Sequence, residues 1–342
     1  MTPKPTILYP TVSAQFVEDW LVALRALCAD AHYASLLRRS GLRPSGGQQH
    51  GRVTLDQIVT LYQLAAVETG DEMMGLWSRA IRPRALQHLL TSVREARSLP
   101  AALYRFSTFW NLLLDDYQFQ LDDRDGAIVL SLVPQTGAAP QRFGHMLILK
   151  LAHGLLSWMA RREVPIAVVD FAFGRPSFDE DYVHIFPAPV RFEAVASALH
   201  FDGESLGSVQ VRSTKDLDLF LETAPRDWIF TRSQEHTQSL RVRAFLSQTT
   251  WDKAQLDKAA TALHLTPRTL MRKLEADGTS FQSIKDALRR DIAIRRLQTE
   301  SSSVDAIAHD VGFASTASFY KAFQRWTGST PSAYRGKETQ SD

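Results

Sequence analysis

The sequence predicts a multidomain α+β protein: a mixed α/β N-terminal domain, then an all-α C-terminal module with two helix-turn-helix motifs joined by a long helix. Residues 117–201 contain alternating and continuous apolar runs of strand length around one helical pattern, whereas 237–337 shows helical periodicity alone. Within that C-terminal stretch, an apolar helix face, a turn and a second amphipathic helix occur twice. Charge divides along the same line. Residues 1–236 carry 23 Lys+Arg against 26 Asp+Glu, and residues 237–342 carry 16 against 11, so a net of −3 faces a net of +5. The expected division is a domain over 1–224, a linker over 225–236, the helical module over 237–337 with its motifs at 256–277 and 304–327, and a tail over 338–342.

In the N-terminal part, residues 1–10 hold three prolines and are expected to be an unstructured lead-in. Ser13 is placed to cap a helix whose inner face is Phe16, Val17, Trp20, Leu21, Leu24 and Leu27. Residues 40–52 are Gly-rich and polar and predict a loop. Thr54 then opens a helix through Ile58, Leu61, Tyr62 and Ala65, closed by the turn Thr69-Gly70-Asp71. Helical patterns follow at 84–97 and 99–114, the second with Leu103, Phe106, Phe109, Trp110 and Leu113 inward. The alternation of 117–121, the turn Asp123–Gly126 and the apolar run 128–133 predict a hairpin. A helix over 143–162, a strand over 166–173, short strands at 190–192 and 199–201 and a closing helix over 214–223 complete this half.

In the C-terminal part, Leu240, Val242, Phe245 and Leu246 supply a first helix, and Leu256, Ala259, Ala260 and Leu263 the face of the next. Thr266-Pro267 is a cap followed by proline at the first helical position. Leu270 and Leu274 then point inward while Arg268 and Arg272, one turn apart, point outward. A long amphipathic run, 281–297, connects to the second copy. There Val304, Ile307, Ala308 and Val311 form one face, and Gly312 stops the helix where a left-handed residue is needed. Ser315 caps the next helix, whose inner face is Phe319, Phe323 and Trp326, and a short third helix starts at Pro331. A pair of helices joined by a tight turn, the second basic outside, is the arrangement that lays a recognition helix in the major groove.

These residues resemble a known family. Ile307-Ala308, Val311-Gly312-Phe313, Ser318-Phe319-Tyr320, Phe323, Gly328-Ser329-Thr330-Pro331 and Tyr334-Arg335 are similar to the signature of AraC/XylS-type transcription regulators. The upstream copy matches in Pro267-Arg268, Leu270, Arg272, Leu274 and Gly278. Ser98-Leu99 and Ala102-Leu103 before the hairpin, with Tyr182 and Phe186–Phe192, resemble the arabinose-binding-like sensor domain of the ornithine-utilisation-regulator subgroup. The resemblance implies a promoter-DNA-binding activator that contacts RNA polymerase, responds to a small effector and works as a homodimer. One departure is Ala317, where many members carry a larger polar residue.

The reading assigns base contacts to Arg268, Thr269 and Arg272 in one groove and to Thr316, Ala317 and Lys321 in the next. Phosphate contacts fall to Lys273, Ser315, Gln324 and Arg325. The motif core is Leu270, Leu274, Ile307, Gly312, Phe313, Phe319, Phe323 and Pro331. No residue pattern identifies an effector site, so a ligand-free oligomerisation scaffold is the competing expectation for the N-terminal domain. An enzyme fused to a DNA-binding tail is the third reading, without a catalytic constellation to support it. No cofactor or metal is expected. His145 and His153 lie two turns apart, and His184 follows the acidic run 179–181 in what is expected to be a solvated loop. Cys28, the single cysteine, excludes an internal disulfide. With no apolar run of membrane-spanning length and no signal peptide, the expected location is the cytoplasm, with no membrane partner.

Overall fold

The computed structural model describes residues 11–42, 51–124, 126–135, 141–186, 188–222, 224–225, 238–276, 279–299 and 302–335. The expected lead-in 1–10, most of the loop 40–52, the linker residues 226–236, Gly278 and the tail 338–342 lie outside them, as do the side chains of His184 and Leu240. The chain forms two compact units, one from residues 15–45 and 56–232, the other from 1–14, 46–55 and 233–342.

The first unit is built on a five-stranded sheet. Its strands are β3 (Tyr117–Arg124), β4 (Ala127–Pro134), β5 (Val168–Asp170), β6 (Val190–Arg191) and β7 (Ser197–Asp202), in the order β3-β4-β7-β5-β6. All pairs are antiparallel except β5–β6. The β3–β4 hairpin is the one the alternation predicts, with Leu130 and Leu132 fully buried. The helices are α1 (Glu18–Leu27), α2 (Asp30–Ser40), α3 (Leu55–Glu68), α4 (Ala85–Arg94), α5 (Leu99–Asn111), α6 (Arg142–Ala160), α7 (Gly203–Leu206) and α8 (Thr214–Glu222). Helix α5 begins at Ser98, whose side chain accepts from the Ala101 N–H, with Pro100 in the first turn.

Helix α6 is buried along nearly its whole length, so its polar residues must find partners inside. His145 Nδ1 lies 2.8 Å from Ser197 Oγ, His153 Nδ1 lies 3.1 Å from Lys150 Nζ, and His153 Nε2 lies 2.8 Å from the Val164 carbonyl. Burial lowers the His145 pKa to about 4 and that of Lys150 to about 7.

Several expected boundaries shift. Ser13 ends strand β1 (Thr11–Ser13), which pairs with β2 (Arg52–Thr54), and α1 starts only after a 3-10 turn at Ala14–Val17, with Val17 at its cap position. Leu27, expected inward, is 47% exposed. Within the apolar run 166–173 the strand itself spans Val168–Asp170; beyond it the Phe171 N–H still donates to the Arg191 carbonyl at 2.8 Å, and the rings of Phe171 and Phe173 pack against Tyr182 and Phe192. The acidic run expected as a loop is a 3-10 turn, Asp179–His184, in which Asp181 is buried.

Among its described residues, the second unit joins the β1–β2 ribbon to seven helices: α9 (Gln238–Ser247), α10 (Leu256–Ala262), α11 (Pro267–Ala276), α12 (Phe281–Thr299), α13 (Val304–Asp310), α14 (Thr316–Thr327) and α15 (Pro331–Arg335). It holds two hydrophobic clusters. Val242, Leu246, Ala259, Ala260, Leu270, Leu274 and Leu288 form one; Ala293, Ile294, Leu297, Ile307, Ala308, Val311, Phe319 and Phe323 form the other. Ile292 packs against both.

Candidate nucleic-acid interface

Two helix-turn-helix pairs, α10–α11 and α13–α14, share one local construction. In the first, Leu263 N–H reaches the Ala259 carbonyl, His264 that of Thr261 and Leu265 that of Ala260. In the second, Val311 reaches Ile307, Gly312 reaches His309 and Phe313 reaches Ala308. Each turn therefore satisfies the last helical carbonyls through one left-handed residue, His264 at φ 57° and Gly312 at φ 81°. Hydroxyls cap the following helices: Thr266 accepts from Thr269 N–H at 3.2 Å and Ser315 from Ser318 N–H at 3.3 Å.

Burial orients the two second helices. In α11, Leu270 and Leu274 are within 1% of full burial, which turns Arg268, Met271, Arg272 and Glu275 to solvent. Arg272 is centred on that exposed face, with Lys273 on its flank. In α14, Phe319, Ala322 and Phe323 are buried, and Ala317, Ser318, Lys321, Gln324 and Arg325 are exposed. Ser318, which the sequence places in the family signature and in no contact role, stands on this exposed face.

Some assigned residues are already engaged. Thr269 Oγ1 lies 2.9 Å from the capping Thr266 Oγ1, and Ser315 Oγ lies 2.9 Å from Ser318 Oγ. Thr316 donates to Asp305 at 2.5 Å, which ties α14 to α13. Arg325 Nη2 stands 3.6 Å from Asp286 on α12, with its side chain still 70% exposed. Arg268, Arg272, Lys273, Ala317, Lys321 and Gln324 are all exposed. Of the residues expected in the motif core, Leu270, Leu274, Ile307, Phe319, Phe323 and Pro331 are buried, and Gly312 is exposed at its turn. Phe313 is half-buried, edge-on to Phe319 at 5.6 Å and to Trp326 at 5.7 Å.

A contact invisible to local patterning joins the two motifs. The Arg289 guanidinium, on α12, lies 4.9 Å from the Trp251 ring centroid and 5.0 Å from that of Phe313, and donates to the Gly312 carbonyl at 3.1 Å. Trp251 Nε1 donates to the Asp310 carbonyl at 2.7 Å. An arginine between two aromatic faces is attracted to both, so the loop before the first motif is fastened to the turn of the second. Burial lowers the Arg289 pKa from its ordinary value.

The first unit carries a separate feature, an open groove of about 800 Å³ lined mainly by Val22, Ala23, Ala172 and Phe173, with Gln141, Asp19 and Arg142. Arg142 meets Asp19 in a bidentate pair at 2.6 and 3.0 Å. Among the described residues no group of three His, Cys, Asp or Glu side chains is placed to hold a metal ion, and no helix is long and apolar enough to cross a membrane.

Two family models match. The one described as the arabinose-binding domain of AraC transcription regulators, N-terminal, covers residues 31–208, and a helix-turn-helix domain model covers 259–337. The chain is 25% identical over 289 residues to the ornithine utilization regulator of Pseudomonas aeruginosa, covering 84% of this chain and 85% of that one. It is 32% identical over 114 residues to the urease operon transcriptional activator of Escherichia coli, 33% of this chain and 38% of that one. Among solved structures, the transcriptional regulator CdpR of P. aeruginosa aligns over 94% of this chain and 96% of its own at 19% identity and a TM-score of 0.31.

Proposed function

Because the chain belongs to the AraC transcription regulators, with their arabinose-binding-type N-terminal domain and a helix-turn-helix domain, we propose that it reads promoter DNA with helices α11 and α14 in successive major grooves. The observation that carries this reading is the pair of identically built motifs on one helix, each turning an exposed face with basic side chains to solvent. Two such helices enter grooves about one helical turn apart, roughly 34 Å.

In this reading Arg268 and Arg272 meet base edges in one groove. An arginine donating two bonds to guanine O6 and N7 is the commonest specific contact. Lys321 and the small Ala317 serve the other groove, where a methyl side chain suits the thymine methyl. Lys273, Gln324 and Arg325 hold phosphates. Thr269, Thr316 and Ser315 stay in the contact set with hydroxyls already bonded within the protein, so they set helix position more than base choice. The N-terminal domain takes a small effector, for which the open groove beside Arg142 offers a place, and joins two copies of the chain. Activation through RNA polymerase in the cytoplasm completes the proposal.

The test is selection of duplexes by the full chain from a random-sequence pool, followed by footprinting and salt titration. The expected result is protection of successive major grooves on one face. Affinity should fall with salt at a slope of roughly −0.9 per phosphate neutralised. Binding that ignores salt, or a pool with no enriched sequence, would overturn the reading.

A further inference from the structure

The ribbon β1–β2 comes from the far end of the sequence, yet it clusters with the helices of the second unit. Its register is Thr11↔Thr54, Val12↔Val53 and Ser13↔Arg52, with Thr11, Val12 and Val53 buried. Three-residue strands stabilise little by themselves. What seats them is a carboxylate. Asp291, on α12, is 1% exposed. Its Oδ1 accepts from Thr11 Oγ1 at 2.5 Å and from Arg290 Nε at 3.2 Å, while Oδ2 accepts from Arg243 Nη2 at 2.8 Å.

The Thr11 hydroxyl is used twice, since it also accepts from Arg52 Nε at 2.8 Å. Arg52 Nη2 donates to the Thr11 carbonyl at 2.5 Å, and Arg52 N–H donates to the Tyr334 hydroxyl at 3.0 Å. One ribbon thus reaches α12 and α15 together. The Asp291 pKa is lowered to about 2: burial opposes the charge, and Arg290, Arg243 and Arg52 overcome that opposition.

Position gives the network its meaning. Asp291 stands where α12 passes from the first hydrophobic cluster, ending at Leu288, to the second, beginning at Ala293. A charge buried there must keep its partners or cost several kcal/mol, so every partner restrains that stretch of α12. We propose that the ribbon is a working part of the DNA reader, a positioning element that fixes α12 through Thr11, Arg52 and Asp291 and thereby the spacing between the two recognition helices. The proposal rests on the DNA-reading function proposed above.

The experiment uses the full chain, the duplex that the wild type selects from a random pool, versions of it with base pairs inserted between the halves, and a version with one half scrambled. Thr11→Val keeps the shape and removes the hydroxyl; Thr11→Ser restores it. We expect Thr11→Val and Arg52→Gln to shrink the preference for the selected spacing by about tenfold, the size of a coupling of neighbouring groups. Affinity for the single half should stay within about twofold of wild type, and Thr11→Ser should behave as wild type. Equal spacing preference in wild type and both variants would overturn the proposal. So would a parallel loss on all duplexes with faster amide exchange throughout 242–323, which would mark a purely folding role. If the wild type enriches no duplex, the DNA-reading function itself fails, a result distinct from either.

Discussion

Replacing Gly312 with alanine tests how firmly the two motifs are fastened together. Two costs add. The backbone at φ 81° is one that L side chains rarely adopt, worth about 1–2 kcal/mol. The new Cβ would also stand 2.6 Å from Trp251 Cγ, 2.7 Å from Trp251 Cβ and 3.0 Å from Arg289 Nη2. Relief requires moving an indole held by its bond to the Asp310 carbonyl and by the cation beneath it, an overpacking cost of about 1–3 kcal/mol. Gly70→Ala supplies the control: its φ is 67° and no atom lies within 4 Å of the added methyl, so it carries the backbone cost alone. Native-state hydrogen exchange, read on segments 304–327 and 55–76, gives each local destabilisation. Gly312→Ala should exceed Gly70→Ala by about 1–3 kcal/mol. Equal losses would mean that Trp251 moves aside freely, and the clamp between the motifs would be refuted.

Three further outcomes follow. Arg272→Ala should cost about 1–3 kcal/mol on the selected duplex and relax preference at one base position; an equal loss on random DNA would make Arg272 a phosphate anchor. Phe319→Ala, which empties a fully buried site, should destabilise the second motif by about 3–5 kcal/mol in exchange or melting, and an unchanged melt would mean that the faces of α14 are misassigned. Lys150, with its pKa lowered to about 7 by burial, binds fewer protons folded than unfolded between about pH 7 and 10.5. Stability of the sheet-containing unit should therefore rise with pH across that window, by at most about 1.4 kcal/mol per pH unit. His145, with its pKa lowered to about 4, gives the same sign between about pH 4 and 6.5. Urea midpoints at pH 5, 7 and 9 measure both, and Lys150→Met should flatten the upper part; a flat wild-type profile would refute the assignment.

How much the sequence discloses depends on how local each device is. Helix α14 is legible because Phe319 and Phe323 repeat one turn apart behind a serine cap and a glycine turn, all within sixteen residues. The first motif is legible in Leu270, Leu274 and Thr266-Pro267, but its left-handed residue is His264, which carries no glycine signal. Helix α2 escapes notice because its buried side chains are chiefly Leu36 and Leu37, too few to set a period. The ribbon is illegible for a different reason. Strands of three residues show no alternation, their pairing spans some forty residues, and Ser13 and Thr54 resemble helix caps. Asp291, Arg289 and Trp251 look like surface charges and a stray aromatic until the fold brings partners from distant positions.

That difference in range bears on how such a reader works. Each motif has its own apolar cluster, and Ile292 packs against both. Most of the burial that folds a motif is therefore local to it. The geometry between motifs rests instead on polar and cation–aromatic contacts: Arg289 between Trp251 and Phe313, Arg325 with Asp286, and the partners of Asp291. The contacts of Arg289 and Arg325 contribute about 0.5–3 kcal/mol each, whereas leaving the buried Asp291 without its partners costs about 3–5 kcal/mol. On the proposal above, a change confined to these contacts alters the spacing of the recognition helices while both motifs stay folded. The two ribbon strands, which lead along the chain toward α1 and into α3, end on the partners of Asp291.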